Sequence, residues 1–442
     1  MAEANPVGAI QGIFKTPELK SKIGFTLLAL FVYRIGGHIT TPGVDVQALI
    51  AFFKNSQTGG LLGLYDLFVG GGLSRATVFA LGIVPYISAS IVFQILGAVV
   101  PTFEKMQKDE EGRKRITQWT RYATLGIAML QAYGYALFTE SLQGAVTHPG
   151  FAFKAQMVLF LTTGAMFVMW LGEQITERGI GNGASLLIFF SIVERIWPSI
   201  GQTFAFLNAG TVTVVKLVGL GALMVAVVAV TVAITVAARR VPIQIPQRTM
   251  ARGRQRESSK NFIPLRMNAA NVMPIIFAQT VVVVPGLLAQ GMKWPWLVNL
   301  VEYLQPGQPW YYILMGILIL FFTYFYTAII FNPVDIAENL KKQGAFIPGI
   351  KPGAKTAEYI DRIVTRITLP GAIFLTGVAL LPIFVQEMIN VPFRFGGTSL
   401  LIVVGVGLDT LAQVQQQLLV RKYDTFMKKG RVKFRGRSAT GF

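Results

Sequence analysis

The residue types that make and break bonds are scarce in this sequence, and those present are poorly grouped for it. His38 and His148 are its two histidines and it has no cysteine, which excludes thiolate metal sites, disulfides and cysteine nucleophiles. Neither H-E-x-x-H nor G-x-S-x-G occurs, so the zinc-hydrolase and nucleophile-elbow patterns are missing. Glu173, Glu177 and Arg178 cluster at the end of an apolar run, where charges anchor a membrane interface more readily than they relay protons. Arg34 and Asp409 fall within apolar runs, and intramembrane charges mark ion or proton paths. A coupled pump would need more of them. The expectation is a non-enzymatic protein with no metal or other cofactor.

One glycine-rich stretch invites a ligand-binding reading. Residues 64–91 read LYDLFVGGGLSRATVFALGIVPYISASI. Gly70-Gly71-Gly72 lacks the later Gly-Lys-Ser/Thr of a phosphate loop and does not follow a strand as the dinucleotide fingerprint requires. The glycines fit better as the end of a short helix, LYDLF, at a re-entrant corner. Irregular backbone at membrane depth survives only when buried in protein or lining a wet cavity. Such a segment therefore needs a protein-lined vestibule.

The elements that would build one are membrane spans. Of 442 residues, 53% are hydrophobic and 14% charged, well below the quarter typical of soluble chains. Ten runs are apolar and long enough to cross a bilayer as helices: roughly 23–41, 76–100, 118–139, 153–173, 183–200, 213–238, 269–290, 310–331, 367–389 and 397–420. Lys and Arg divide 32 to seven between alternate connections, Arg34 aside. By the positive-inside rule this puts both termini in the cytoplasm. The expected fold is all-α and polytopic, with ten transmembrane helices. The link at 201–212 separates a half at 1–200 from a half at 213–442, five spans each, and an odd number per half inverts their orientation.

Two cytoplasmic loops, 239–267 and 333–366, carry more than topology needs. The first holds eight basic residues and one acid, and its 241–245 alternation predicts a short strand in a hairpin. The second, with ENLKKQGAFIPGIKPG, alternates turns and basic residues. Both suit an anionic partner such as ribosomal RNA or an acidic protein face. The C-terminal tail is basic as well.

Five stretches together are familiar: GGGLSRATVFALGIVPYISASIVFQIL, WLGEQITERGIGNGASLLIF, YLQPGQP, FNPVDIAENLKKQGAFIPGIKPG and PFRFGGTSLLIVVGV. In order and spacing, from the first span to the last, they resemble the bacterial SecY family of protein-conducting channels. The resemblance implies two inverted five-helix halves around an hourglass pore that passes unfolded polypeptides and releases apolar segments sideways into lipid. It also implies residence in the bacterial plasma (inner) membrane. The rival reading is a secondary transporter with a five-plus-five inverted repeat. The missing midplane ionisable cluster and the large basic loops count against it.

Residue by residue, the resemblance implies a constriction at Ile83, Ile87, Ile188, Ile276 and Ile402. Isoleucines facing one constriction would exclude ordered water and ions by dewetting. Their χ1-stiff branched side chains offer a passing chain no hydrogen bonds. It also implies a plug segment at 61–75, with Leu64, Tyr65, Asp66, Leu67, Phe68 and Val69 as its body and Gly70, Gly71 and Gly72 as a joint. The spans at 76–100 and 269–290 become the two sides of a lateral gate, with Ser88, Ser90 and Gln94 facing Asn268, Asn271 and Gln279. Partner docking falls to Arg248, Arg252, Arg254, Arg256, Lys341, Lys342 and Lys351. The family usually has arginine at the last of these, and lysine loses the planar bidentate fork. The implied partners are the SecE and SecG subunits, the SecA motor ATPase, the ribosome including its RNA, signal peptides, nascent polypeptides and membrane lipids.

Overall fold

A computed structural model describes residues 17–55, 60–208, 210, 213–244, 261–268, 270–292, 295–389 and 397–429. Before the hairpin the described chain is helical: α1 (Pro17–Gly36), α2 (Val46–Asn55), α3 (Gly60–Phe68), α4 (Val84–Val99), α5 (Pro101–Lys108), α6 (Glu110–Ser141), α7 (Phe151–Arg178), α8 (Gly183–Asn208) and α9 (Val214–Val236). The hairpin consists of β1 (Ala238–Ile243) and β2 (Asn261–Arg266). After it come α10 (Met273–Met292), α11 (Pro295–Tyr303), α12 (Pro309–Ile330), α13 (Pro333–Lys342), α14 (Ala354–Ile389) and α15 (Gly397–Lys429).

Ten of these helices, α1, α4, α6 to α10, α12, α14 and α15, occupy the ten expected spans. Among the described residues, six segments are each long and apolar enough to cross a bilayer alone. The α4 and α5 pair qualifies only as one span, bent by 104° where Val100 precedes Pro101. Several boundaries move, with α6 starting at Glu110 rather than residue 118, α14 at Ala354 rather than residue 367, and α15 running on to Lys429. The first span ends at Gly36 rather than residue 41, where a pair of glycines halts the helix. The second starts as a helix at Val84 rather than residue 76. Residues 69–83 instead run as turns, with left-handed backbone at Gly70, Gly71, Ala76 and Gly82. Pro85, whose missing N–H costs nothing in a first turn, then opens α4.

This irregular stretch is possible because protein surrounds it. α7 closes on it at Gly164, where an added Cβ would lie 1.9 Å from the Val78 carbonyl oxygen. The Tyr65 hydroxyl donates to the Leu81 carbonyl at 2.9 Å, and Tyr135 of α6 donates to the Leu73 carbonyl at 2.6 Å. Backbone groups freed by leaving the helix are thus met by these side chains and by backbone partners, as where Val78 N–H donates to the Ile39 carbonyl at 2.9 Å, rather than by lipid.

The predicted strand at 241–245 starts earlier, at Ala238, and runs to Ile243 as β1, antiparallel to β2 with Val241 opposite Ile263; residue 245 lies outside the described residues. Gln244 then exchanges two 2.9 Å backbone hydrogen bonds with Phe346 of the second loop. Val241 and Leu265 share a buried cluster with Leu340, Ala345, Ile347, Ile360 and Ile363. The two basic loops are therefore one platform with its own small core.

Candidate functional site

The five isoleucines come from four helices and the turn before one of them, yet all are buried in a single apolar cluster. Ile83 and Ile87 flank the start of α4, Ile188 lies on α8, Ile276 on α10 and Ile402 on α15. Ile402 has no exposed surface and Ile188 keeps 1%. No local pattern could reveal this grouping, since each isoleucine alone reads as ordinary core or lipid-facing surface.

The short helix α3 packs directly on that cluster. Leu61 and Phe68, seven residues apart and so on one face, belong to it, and Leu64 rests against it. The opposite face, with Leu62, Tyr65 and Val69, enters a second core that includes Ala132 and Tyr135 of α6 and Leu161 and Ala165 of α7. α3 also touches α10, where a Cβ on Gly286 would stand 3.2 Å from Leu61 Cδ1. The expected plug body is helical from Gly60 to Phe68, and Val69 to Gly72 form the turn after it.

Asp66, on the same helix, is 4% exposed. One carboxylate oxygen accepts the Ser74 N–H at 2.9 Å and the other pairs with Arg195 of α8. The residue before Arg195, Glu194, pairs with Arg34 of α1. This changes the inventory of intramembrane charge. Glu194 and Arg195 lie within the spanning part of α8, so Arg34 and Asp409 are not alone. An adjacent acid–base pair inside the apolar run 183–200 was the available sequence signal.

Of the gate residues, Ser88, Ser90 and Gln94 lie on α4 and Gln279 on α10, two helices that pack against each other, while Asn268 and Asn271 fall in the turn before α10 rather than on it. Their polar groups do not bond across the seam. Ser88 back-bonds to the Val84 carbonyl at 3.1 Å, and Gln94 donates to Ser90 at 2.9 Å within α4. Asn268 donates to the Asn271 carbonyl at 3.1 Å. Asn271, in a left-handed conformation, gives its amide hydrogens to Asp409 of α15 at 2.7 and 2.8 Å. Gln279 is buried. Among the described residues, no side-chain hydrogen bond runs between α4 and α10, and apolar contact holds the two helices together.

A cavity of about 280 Å³ opens between α4, α6, α7 and α8 on one side and α10 and α12 on the other, with Ile87, Ile188 and Ile276 in its lining. Ile87, Ser90 and Gln94 line one wall, and Ile276, Phe277 and Tyr326 another. Glu173 and Arg121 sit at its edge, joined by two hydrogen bonds of 2.9 Å that tie α6 to α7. Of the docking residues, Lys341, Lys342 and Lys351 are exposed on the platform, Lys342 pairing with Glu338 at 3.1 Å. Arg248, Arg252, Arg254 and Arg256 fall outside the described residues.

A polytopic helical membrane protein, with a buried apolar cluster backed by a short internal helix, is the class this arrangement defines. The chain belongs to the SecY family, whose family model matches residues 77–411. It is 45% identical to the protein translocase subunit SecY of Escherichia coli K12 over 428 residues, covering 95% of this chain and 96% of that one. It shares the fold of a solved SecY whose plug domain stabilizes the closed state of the translocation channel and maintains a membrane seal. That match has a TM-score of 0.66 at 16% identity, over 94% of this chain and 95% of the other. Sec61 in the canine ribosome-channel complex from the endoplasmic reticulum matches with a TM-score of 0.62 at 17% identity, over 94% and 95%. The chain is thus a protein-conducting channel subunit of a translocase, and the transporter reading falls away.

Proposed function

We propose that this channel passes unfolded polypeptides outward across a bacterial inner membrane through the constriction of Ile83, Ile87, Ile188, Ile276 and Ile402. Residues 64–72 act as its plug, and α4 and α10 part to release apolar segments into lipid. The observation that carries this reading is the shared buried cluster, in which Leu61 and Phe68 of α3 pack on the isoleucines. Such a ring excludes ions at rest without offering a translocating chain any polar group to stick to. The halves 1–200 and 213–442 move about the connection at 201–212. Both termini are cytoplasmic, as the lysine and arginine distribution favours.

The platform of loops 239–267 and 333–366 docks the ribosome, its RNA included, and the SecA motor. Its exposed lysines and the canine complex's ribosome support that assignment. SecE and SecG complete the translocase, and signal peptides compete for the α4–α10 seam. Energy comes from these partners, since translocation here is conduction rather than catalysis. A stalled secretory chain carrying a photocrosslinker tests the path. Adducts at Ile188 and Ile402 are expected, and adducts confined to lipid-facing positions such as Val225 would overturn it.

A further inference from the structure

Two ion pairs sit end to end beside the plug, and the proposed function uses neither. Asp66 is a carboxylate almost wholly out of water, and such a group is stable only when its charge is compensated. Its compensation comes from the Ser74 N–H and the Arg195 guanidinium. Arg195 also lies over the glycine turn: a Cβ on Gly71 would stand 2.6 Å from its Nη2. Ser191, one helical turn earlier on α8, backs Gly70 in the same way, at 3.3 Å from its would-be Cβ. One face of α8 thus receives both the helix and its joint.

That face is itself braced from behind. Tyr33 of α1 and Ser191 share a hydrogen bond of 2.9 Å, and Arg34 pairs with Glu194. Consecutive residues of α1 therefore hold the same turn of α8 that holds the plug.

We infer that Arg195, braced by the Arg34–Glu194 pair, is a positioning residue that latches the plug to α8 through Asp66 when the channel is at rest. Unseating α3 separates a buried pair, and the vestibule water that enters re-solvates both charges. The latch therefore favours the seated state without making it irreversible. Gly71 earns a second explanation. It gives the turn its left-handed geometry, and its bare Cα leaves the space the guanidinium occupies.

This inference rests on α3 being the plug, and the test separates the two. The chain has no cysteine of its own, so Leu64→Cys is a sole thiol reporter on the plug. The full channel is reconstituted in proteoliposomes, and labelling by an impermeant maleimide and resting chloride conductance are measured. Asp66→Asn and Arg195→Gln should each raise both by about tenfold, equivalent to about 1.4 kcal/mol. The double variant should be no worse than either single one, because the two residues act as one pair. Single variants as tight as the parent, or a double variant whose effects multiply, would overturn the latch. Deleting residues 61–69 is the companion arm. If the deletion leaks but Arg195→Gln does not, the latch fails and the plug stands; if neither leaks, the plug reading fails as well.

Discussion

Truncating Ile402 to alanine tests whether the isoleucine cluster is the seal. The side chain has no exposed surface and packs with residues of α4, α8 and α10. Removing three buried carbons costs about 2–5 kcal/mol where the surroundings cannot collapse into the space. A core residue buried in every state would spread that cost evenly and leave gating alone. A constriction residue faces the conducting path once the channel opens, so the cost falls on the closed state only. Taking the lower figure, a shift of about 2 kcal/mol raises the open-to-closed ratio roughly thirtyfold. Single-channel and macroscopic conductance in planar bilayers read that ratio directly. Ile360→Ala is the matched control: Ile360 is 1% exposed but belongs to the core of the loop platform. It should lose comparable stability with no leak. A tight Ile402→Ala channel, or an equal leak from Ile360→Ala, would refute the reasoning.

Three further outcomes are expected. Reversing Arg252, Arg254 and Arg256 to glutamate should weaken ribosome or SecA binding at least tenfold at physiological salt, as measured by sedimentation or fluorescence titration; unchanged affinity would remove that loop from the dock. Cysteines at Ser88 and at positions along α10, once disulfide-bonded, should block insertion of signal peptides; secretion by fully crosslinked protein would mean the seam is misplaced. Tyr135→Phe strands the Leu73 carbonyl and should cost about 1–3 kcal/mol in thermal unfolding, since a buried acceptor loses its donor; an unchanged melting temperature would show that water replaces it.

Helix content was legible because apolar run length in a bilayer is set by thickness, and α9, with Val214–Val236 nearly all apolar, shows this plainly. Where helices leave the hydrocarbon, hydropathy loses its grip. α6 begins at Glu110, eight residues before the apolar run, because GRKRITQW is helical in water as well. The late start of α4 had a local signal in Gly82 and Pro85 that an apolar average smooths over. The hairpin was visible from alternation in β1, while its bond to Phe346 was not, since that partner lies 102 residues away. The same distance problem hid Asp66 and Arg195, 129 residues apart, whose pairing depends on how α3 docks rather than on either neighbourhood. The isoleucines were placed through the family pattern alone. Their chemistry is too common to identify itself.

The fused platform has a mechanical meaning. β1 continues from α9, β2 leads into α10, and α12 and α14 border the second loop, so four spans of one half are covalently rooted in a single rigid handle. No covalent connection runs from it into α1 to α8 except through α9. A machine gripping that handle would apply torque to α9, α10, α12 and α14 against α1 to α8, and leverage at the platform would become displacement between α4 and α10.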